Sequence, residues 1–444
     1  MPNRRVLHAA DIHLDSPLQK LNAYEQAPVD RIRGASRRAL ENLVALAIQQ
    51  EVDLVVIAGD LYDGDWPDQN TGLFFVEQAR RLIHAGIPLA IIRGNHDAAN
   101  VMTSTLPLPK NPDGSEIMMR SEKVDSRDFE DIGITVHGQS FQKRAETANL
   151  AARYPAPHSG MFNLGLLHTS LTGAEGHEPY APTTPAELID KGYDYWALGH
   201  VHTRASHGTE DSAPIHFSGN LQGRHIRECG PKGCLIVDID SNNRCTTEFH
   251  PLDVVRWYRH PIDVSDIQHT DEVADSFQQW LGDSLGGNGD QLAVVRVELT
   301  GDCPIHDALH QKRNRLWSDL QSIAIAHGHG SVWLENLKVH TTSLARSKIA
   351  LEDGGPLQSL ATVVQQLKDD NEAAATVQSE LNDLARKLQE KPFDIEPPLN
   401  LDDDRWVNEI IDSASSYLFD QLSQHFETDS RSDDRSSASS RLPR

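Results

Sequence analysis

The N-terminal segment of the chain reads VLHAADIH over residues 6–13, a mostly apolar run that ends in two side chains able to bind a metal ion. The same arrangement returns four times: LVVIAGD (54–60), LAIIRGNHD (89–97), FNLGLLH (162–168) and YWALGHVH (195–202). Short apolar runs of this kind predict buried β-strands. Ligand-binding residues of α/β sheets gather at the carboxyl ends of strands, so the five segments predict one shared site.

The stretches between the first three predicted strands have the pattern of amphipathic helices. Arg31–Gln50 places Ala39, Leu43 and Leu46 at helical spacing, and a second helical stretch runs from about residue 72 to residue 84. This β-α-β-α-β order implies a partly parallel sheet with helices packed on it. The later strands follow one another more closely, which predicts a mixed or second sheet. The predicted fold class is therefore α/β (α+β).

The length of 444 residues predicts two or three domains. Alternating strands and helices occupy residues 1–250, and a small α+β domain is predicted over 255–345. Residues 347–426 are polar and helical in pattern. Residues 427–444 are rich in Ser, Arg and Asp with little that is apolar, which predicts a disordered tail.

The net charge of −24 speaks against a protein that binds DNA over its whole surface. The acid is uneven, however, because residues 350–444 carry 20 acidic and 9 basic side chains. The charge therefore leaves the substrate open.

The cysteines and the apolar runs predict where the protein resides. The four cysteines, Cys229, Cys234, Cys245 and Cys303, form no CxxC pair and are predicted to be free thiols. No apolar run is long enough to span a bilayer, and the N-terminus lacks the pattern of a signal peptide. We expect a soluble cytoplasmic protein with no membrane partner.

The residue types at the strand ends predict a centre for two divalent ions. The candidate ligands are Asp11, His13, Asp60, Asn95, His168, His200 and His202. Carboxylate, amide and imidazole groups without a thiolate suit Mn²⁺, Fe or Zn²⁺. One ion would take Asp11, His13 and His202, the other Asn95, His168 and His200, and Asp60 would bridge them. Two ions ~3.5–4 Å apart can hold a hydroxide and clamp a phosphate for in-line attack.

His96 stands apart from the candidate ligands. Next to Asn95, it is placed to protonate a leaving oxygen or to stabilise phosphate charge, and Asp97 is predicted to orient its imidazole. Four other histidines lie inside predicted strands or helices and are predicted to be structural: His8, His84, His137 and His216.

Together, these segments resemble the pattern of the calcineurin-like metallophosphoesterases: DIH (11–13), GD (59–60), GNHD (94–97), His168 and GHVH (199–202). The resemblance implies a two-sheet β-sandwich flanked by helices. It also implies seven metal ligands, with Asp60 bridging the ions. A bridging hydroxide would attack the phosphate, and His96 would be the general acid.

Two loops resemble a narrower group, the DNA repair exonucleases of the SbcD and YhaO type. They read ADIHLDSP (10–17) and SGNLQGRH (218–225). SbcD sequences have Leu-Gly after the histidine, where this chain has Leu-Asp-Ser-Pro. The resemblance covers residues 4–240 well. It covers 255–345 more loosely, as a capping domain expected to bind DNA.

This narrower resemblance implies a Mn²⁺-dependent DNA exonuclease or endonuclease in DNA repair. It implies an SMC-like coiled-coil ATPase (SbcC-like) as partner, and homodimerisation. The amphipathic helix predicted over 406–422 is the candidate for docking that ATPase; the alternative is packing on the chain's own domains.

The candidate DNA contacts lie in two basic segments: Arg31, Arg33, Arg37, Arg38, Arg224, His225 and Arg227. Arg224 and His225 fall in a family-like loop and are the predicted substrate-binding pair, whereas the alternative for the residues of 31–38 is a solvated helix face. Two other functions stay open: a phosphoesterase for a small nucleotide or a phosphoprotein, and a scaffold for the ATPase. All seven candidate ligand positions hold residue types able to bind a metal ion, which argues against a role as a scaffold alone.

Overall fold

The structure of the chain is a computed structural model. It describes residues 3–16, 28–63, 69–98, 107–171, 180–208, 212–285, 291–328, 330–343, 356–369, 379–380, 411, 414–415 and 418. The helix predicted over 406–422 lies outside the described residues except at four of these positions. The tail predicted over 427–444 lies wholly outside them.

The described residues form fourteen strands. They are β1 (Arg4–Ala9), β2 (Leu54–Ala58), β3 (Leu89–Ile92), β4 (Asp125–Phe129), β5 (Ile134–Gly138), β6 (Phe162–His168), β7 (Tyr195–Gly199), β8 (Ala205–His207), β9 (Ile215–Phe217), β10 (Gly233–Ile239), β11 (Cys245–Pro251), β12 (Val255–Asp263), β13 (Leu292–Cys303) and β14 (Val332–Ser343).

The α-helices of the described ranges are α1 (Val29–Arg33), α2 (Ala35–Gln49), α3 (Gln69–His84), α4 (Pro185–Asp190), α5 (Thr270–Leu285), α6 (His306–Gln311), α7 (Arg313–Gly328) and α8 (Pro356–Asp369). The single helix predicted over 31–50 is thus two helices, which meet at Gly34. Glycine is a poor helix former, so a break falls there at little cost.

Two sheets form the body of the fold. One has the order β11-β10-β1-β2-β3, and the other has the order β4-β5-β6-β7-β9-β8. Strands β1, β2 and β3 run parallel, as do β5, β6, β7 and β9. Strand β10 returns antiparallel beside β1, with Val237 opposite Val6. A third sheet has the order β12-β13-β14.

Side chains alternate between the two faces of β1 and β2, and each face packs against a different layer of the fold. Val6 and Val56 face the second sheet and pack in one cluster with Val136 and Leu164. Leu7, Ala9, Val55 and Ile57 face the other way and pack with residues of α2 and α3, such as Leu43 and Phe75. Successive residues of a strand point to opposite faces, which gives each strand two buried sides here. The predicted α/β (α+β) class, with two sheets and flanking helices, is confirmed.

The chain divides into two compact units. The first contains residues 1–260, 278–297 and 320–337, and the second contains 261–277, 298–319 and 338–444. Residues of the segment predicted as a capping domain, 255–345, therefore contribute to both units.

Two further findings concern the membrane and the cysteines. Within the part of the chain that the structure describes, no helix is both long and apolar enough to cross a bilayer. All four cysteines are free, as predicted.

Gly165 offers a test of the packing on the second sheet. It lies in β6 beside Trp196 of β7, and a Cβ added there would lie 2.3 Å from a ring carbon of this fully buried tryptophan. We expect Gly165→Ala to lower the free energy of unfolding by about 1–3 kcal/mol, the usual cost of overpacking, as measured by urea denaturation.

The matched control for this prediction is Gly282→Ala in α5, where an added Cβ meets nothing within 4 Å. We expect this variant to be as stable as the wild type or more stable by about 0.5–1 kcal/mol, because alanine favours a helix. Equal stability of Gly165→Ala and the wild type would contradict the packing described here.

Candidate metal centre

The ends of five strands meet at one edge of the two sheets, as predicted. The backbone amide of His200, after β7, lies 3.0 Å from both carboxylate oxygens of Asp11, after β1. The Nε2 atom of His168, the last residue of β6, lies 3.0 Å from the Oδ1 atom of Asn95, after β3. The two sheets thus bring their polar ends into one buried cluster.

The backbone around this edge is held in an unusual conformation. Four residues here have positive φ angles, which residues other than glycine rarely adopt. The angles are 50° for Asp11, 46° for His13, 51° for Asp60 and 101° for His200. The amides of Asp11 and His13 donate to the carbonyls of Gly59 and Asp60, both at 3.0 Å, which keeps the two loops side by side. Backbone strain of this kind is typical of functional sites.

Gly94 permits the close approach of the loop after β3. A Cβ added there would lie 2.2 Å from the Oδ1 atom of Asp60 and 2.7 Å from the imidazole of His168. The absence of a side chain at Gly94 therefore lets the amide of His96 reach Asp60 Oδ1 at 2.9 Å.

One group of candidate ligands contains Asp11, His13 and His202, whose ligand atoms all lie within 4.8 Å of one another. The Nε2 atoms of His13 and His202 are 3.1 Å apart. This is the set predicted for the first ion.

A second group contains Asp60, His168 and His200, again with ligand atoms within 4.8 Å. Asn95 joins this group, since its Oδ1 lies 3.2 Å from Nδ1 of His200. The Oδ2 atom of Asp60 lies 3.4 Å from Nε2 of His168 and 3.9 Å from Nε2 of His13. Asp60 therefore lies between the two groups, where the prediction of a bridging ligand needs it.

The charge balance of the cluster fits divalent cations. Asp11 and Asp60 are each only 1% exposed, and buried carboxylates are costly without a compensating charge. Burial alone would lower the pKa of His168, but the charges of Asp60 and Asp11 outweigh it and raise that pKa to about 9. Burial and the charge of Arg224 lower the pKa of His13 to about 3, so its imidazole is neutral, the form that binds a metal.

The hydrogen bonds of two imidazoles leave Nε2 available to a metal. The Nδ1 atom of His168 lies 2.8 Å from the carbonyl oxygen of Ala58, and the Nδ1 atom of His202 lies 2.7 Å from a carboxylate oxygen of Glu228. Because both partners only accept, each Nδ1 carries the proton and donates it. Nε2 is therefore the ring nitrogen that faces the cluster, and on His168 it must lose its proton before it can bind a metal ion.

His96 forms a third group of possible ligands with His13 and Asp60, again with ligand atoms within 4.8 Å of one another, and its Nδ1 partner is Asp63. The Nδ1 atom of His96 is 2.8 Å from Asp63 Oδ1. Burial alone would lower the pKa of His96, but this hydrogen bond and the charges of Asp60 and Asp63 hold it above its ordinary value. Asp97, predicted to orient the imidazole, accepts from the backbone amides of Leu61, Tyr62 and Gly94 at 3.0, 2.8 and 3.2 Å.

Residues 4–204 match the family described as calcineurin-like phosphoesterase, and residues 257–342 match the one described as the middle domain of metallophosphoesterase YhaO. A relative from Bacillus subtilis (strain 168), "Uncharacterized metallophosphoesterase YhaO", is 35% identical over 302 residues, which cover 67% of this chain and 72% of the relative. The chain belongs to the calcineurin-like metallophosphoesterases. The resemblance inferred from the five strand ends is therefore confirmed.

More distant metallophosphoesterase relatives are nucleases or repair proteins by name. "DNA double-strand break repair protein Mre11" of Methanopyrus kandleri is 24% identical over 340 residues, 70% of this chain and 71% of the relative. A protein of Staphylococcus saprophyticus that is named as one subunit of the nuclease SbcCD is 26% identical over 285 residues, 57% of this chain and 70% of the relative.

The predicted substrate-binding pair of this metallophosphoesterase lies at the rim of the cluster. The guanidinium of Arg224 is 3.4 Å from Asp63 Oδ2 and 3.3 Å from the hydroxyl of Ser16, and its side chain is 20% exposed. His225 is exposed, with Nε2 3.6 Å from a carboxylate oxygen of Glu228.

The other predicted DNA contacts lie on α1, α2 and the loop after Arg224. Arg37 is bound to Asp15, with its Nε 2.8 Å from Oδ1, and Arg31 donates to the carbonyl of Gly330 at 2.8 Å. Arg38 donates to the carbonyl of Arg31. Arg33 and Arg227 are exposed. Internal bonds thus occupy most of the 31–38 segment.

Two carboxylates of the centre were not found by the sequence patterns. Asp63 follows β2 by five residues, in a loop where no periodicity marks it. Glu228 lies three residues beyond the family-like loop 218–225. The one available signal for Asp63 was a second carboxylate shortly after a ligand-bearing strand.

Two of the histidines predicted to be structural form hydrogen bonds inside the metallophosphoesterase fold. His8 bonds the hydroxyl of Tyr195 and the carbonyl of Leu198, at 3.0 and 3.2 Å. His137 bonds Ser126 and Asn163, at 2.8 and 3.1 Å.

We expect His168→Ala to reduce the number of bound Mn²⁺ ions from two to one, because it removes a ligand from the Asp60, His168 and His200 group only. Isothermal titration calorimetry on the metal-free protein measures this stoichiometry. The control is His84→Ala, an exposed histidine of α3, which should bind two ions like the wild type. Two ions bound with unchanged affinity by His168→Ala would refute the assignment.

Proposed function

We propose that this metallophosphoesterase is a two-metal phosphodiesterase that cleaves DNA, as an exonuclease or endonuclease in DNA repair. The observation that carries the proposal is the convergence of six candidate ligand side chains around the seventh, Asp60, with His96 beside them. The DNA substrate is supported by the similarity to Mre11 and to the nuclease SbcCD.

The seven ligand residues would hold two divalent ions, and we propose Mn²⁺ for both. When bound, the ions supply an activated water nucleophile and neutralise charge on the phosphate. The residues of the chain fix the rest of the geometry. The Nδ1 atom of His96 is held by Asp63, so Nε2 is the nitrogen left to deliver a proton to the leaving oxygen.

We propose that Asp63, in place of Asp97, orients His96. Asp63 also accepts from the hydroxyl of Ser16 at 2.5 Å, which fixes the carboxylate from its far side. Asp97 instead binds three backbone amides and so ties the loop after β2 to the loop after β3. Its role in the proposal is to shape the site around Asp60.

Arg224 and His225 are the proposed contacts to the DNA backbone. Both lie at the rim beside His202 and Asp63, and phosphate contacts need cations only at the right place. Arg224 supplies a positive charge at this rim, between the carboxylates of Asp63 and Glu228. The exposed Arg227 extends the same rim.

The partners belong to the proposal as well. We infer an SMC-like coiled-coil ATPase as the partner protein, since one relative is by name part of a nuclease complex. The proposal also includes homodimerisation, DNA binding by residues 255–345, and docking of the ATPase through the helix predicted over 406–422.

The acidic net charge favours the second candidate function, which is a phosphoesterase for small substrates.

We expect the protein to cleave linear DNA in the presence of Mn²⁺, and His96→Ala to lower the rate by about 10²–10⁴-fold, the usual contribution of a general acid. Gel assays on double-stranded and single-stranded DNA measure the rate, with and without the ATPase. His84→Ala is the control and should cleave like the wild type.

The outcome also separates the candidate functions. Rapid hydrolysis of bis(p-nitrophenyl) phosphate without any DNA cleavage would favour a small substrate. A wild-type protein with no hydrolytic activity, alone or with the ATPase, would support the scaffold instead.

We expect Arg224→Gln to weaken binding to a labelled DNA duplex and to reduce the slope of log affinity against log salt by about 1, the signature of one lost phosphate contact. Fluorescence anisotropy at several salt concentrations measures both, on a His96→Ala background that leaves the DNA intact. Arg80→Gln, on the exposed face of α3, is the control of equal charge. An identical slope for both variants would remove Arg224 from the DNA interface.

A further inference from the structure

We propose that Glu228 is a positioning residue that fixes the tautomer and the orientation of the metal ligand His202. The inference rests on the proposed two-metal centre and assigns a role to a loop that the ligand set does not include. The loop, residues 218–232, is called the clip below.

The ligand His202 lies beyond the end of β7 and is held by the clip on two sides. Its imidazole Nδ1 is 2.7 Å from Oε1 of Glu228. Its carbonyl oxygen accepts from the ammonium of Lys232 at 2.9 Å and from the amide of Asn220 at 3.3 Å. Backbone and side chain of this ligand are therefore both fixed by one segment.

The surroundings of Glu228 keep its carboxylate a hydrogen-bond acceptor. It is only 7% exposed, and its second oxygen, Oε2, accepts from the Nδ2 of Asn220 at 2.9 Å and from the backbone amide of Arg224 at 2.7 Å. The guanidinium of Arg224 lies 3.7 Å from Oε1 and adds a positive charge beside the carboxylate. An ionised carboxylate only accepts, so Nδ1 of His202 must carry the proton.

The consequence for metal binding follows from the geometry of the ring. With the proton on Nδ1, the Nε2 lone pair of His202 points at Nε2 of His13, 3.1 Å away. Hydrogen bonds from carboxylates to ligating imidazoles commonly fix the tautomer in this way.

The clip is also anchored to the strand that bears the first ligand. Asn220 forms a parallel bridge with Ala10, and the amide of Leu221 lies 3.4 Å from the carbonyl of Asp11. Glu228 and His202 are therefore tied to the backbone that carries Asp11.

Arg224 connects the clip with the holder of His96. Its guanidinium lies 3.7 Å from Oε1 of Glu228 and 3.4 Å from Oδ2 of Asp63. The carboxylates that hold His202 and His96 thus share one cation.

The test is the variant Glu228→Gln. The amide oxygen of the new side chain would face the two fixed donors, Nδ2 of Asn220 and the amide of Arg224. Its NH₂ group would then face Nδ1 of His202 and favour the tautomer with the proton on Nε2. We expect one of the two Mn²⁺ sites to weaken by about 10–100-fold and the other to keep its affinity, as measured by titration calorimetry.

A second readout needs no metal and no activity. Nitrogen-15 NMR of the histidine rings in the metal-free protein should show His202 protonated on Nδ1 in the wild type and on Nε2 in Glu228→Gln. Lys232→Met removes a contact to the His202 carbonyl but leaves Glu228, so its tautomer should match the wild type. Glu248→Gln, a 73% exposed carboxylate of β11, is the control for both measurements.

The outcomes separate the inference from the proposed function. An unchanged tautomer and unchanged Mn²⁺ affinities in Glu228→Gln would overturn the inference. Equal loss of both ions with a lower melting temperature of the metal-free protein would also overturn it, in favour of a role in folding alone. If the wild type binds no Mn²⁺, the proposed metal centre fails, while the tautomers still decide the role of Glu228.

Discussion

The arrangement of the two sheets depends on one electrostatic constraint, which is that Asp11 and Asp60 are buried side by side. Two carboxylates removed from water repel each other and lose their hydration, which hydrogen-bond donors and nearby positive charge must offset. The strand ends supply imidazoles on every side, and the cluster has the ligand types that divalent ions bind. The left-handed backbone conformation of both aspartates adds a further energetic cost at this edge of the sheets.

The parts of the fold that were predictable are those whose sequence carries its own pattern. β2 (Leu54–Ala58) and β3 (Leu89–Ile92) are the apolar parts of two of the quoted segments, and each is buried on both sides. β4 reads DSRDF and β11 reads CTTEFHP, so neither shows an apolar run. Both are edge strands of their sheets. Hydrogen bonding to a neighbour, and not local pattern, makes them strands.

The residues of the metal centre also differ in whether the local sequence pattern marks them. The seven candidate ligands could be named because each follows an apolar run, and the local sequence records that placement. The residues that hold the ligand His202 and the separate His96 could not be named in this way. Asp63 meets His96 across 33 residues and Glu228 meets His202 across 26, through loops whose course only the folded chain determines. Asp97 adjoins His96 in sequence and accepts from backbone amides of two loops, whereas Asp63, far from His96 in sequence, lies 2.8 Å from its Nδ1.

The pairing of β1 with β10 has a consequence for how the protein is made. The first strand lies between β2 and β10, which begins at Gly233, so its second edge stays open until β10 has been synthesised. An open strand edge invites pairing with the wrong chain. Such long-range pairing is also slow to form. The N-terminal strand, which leads into Asp11, thus has an unpaired edge that must be protected until β10 joins the sheet.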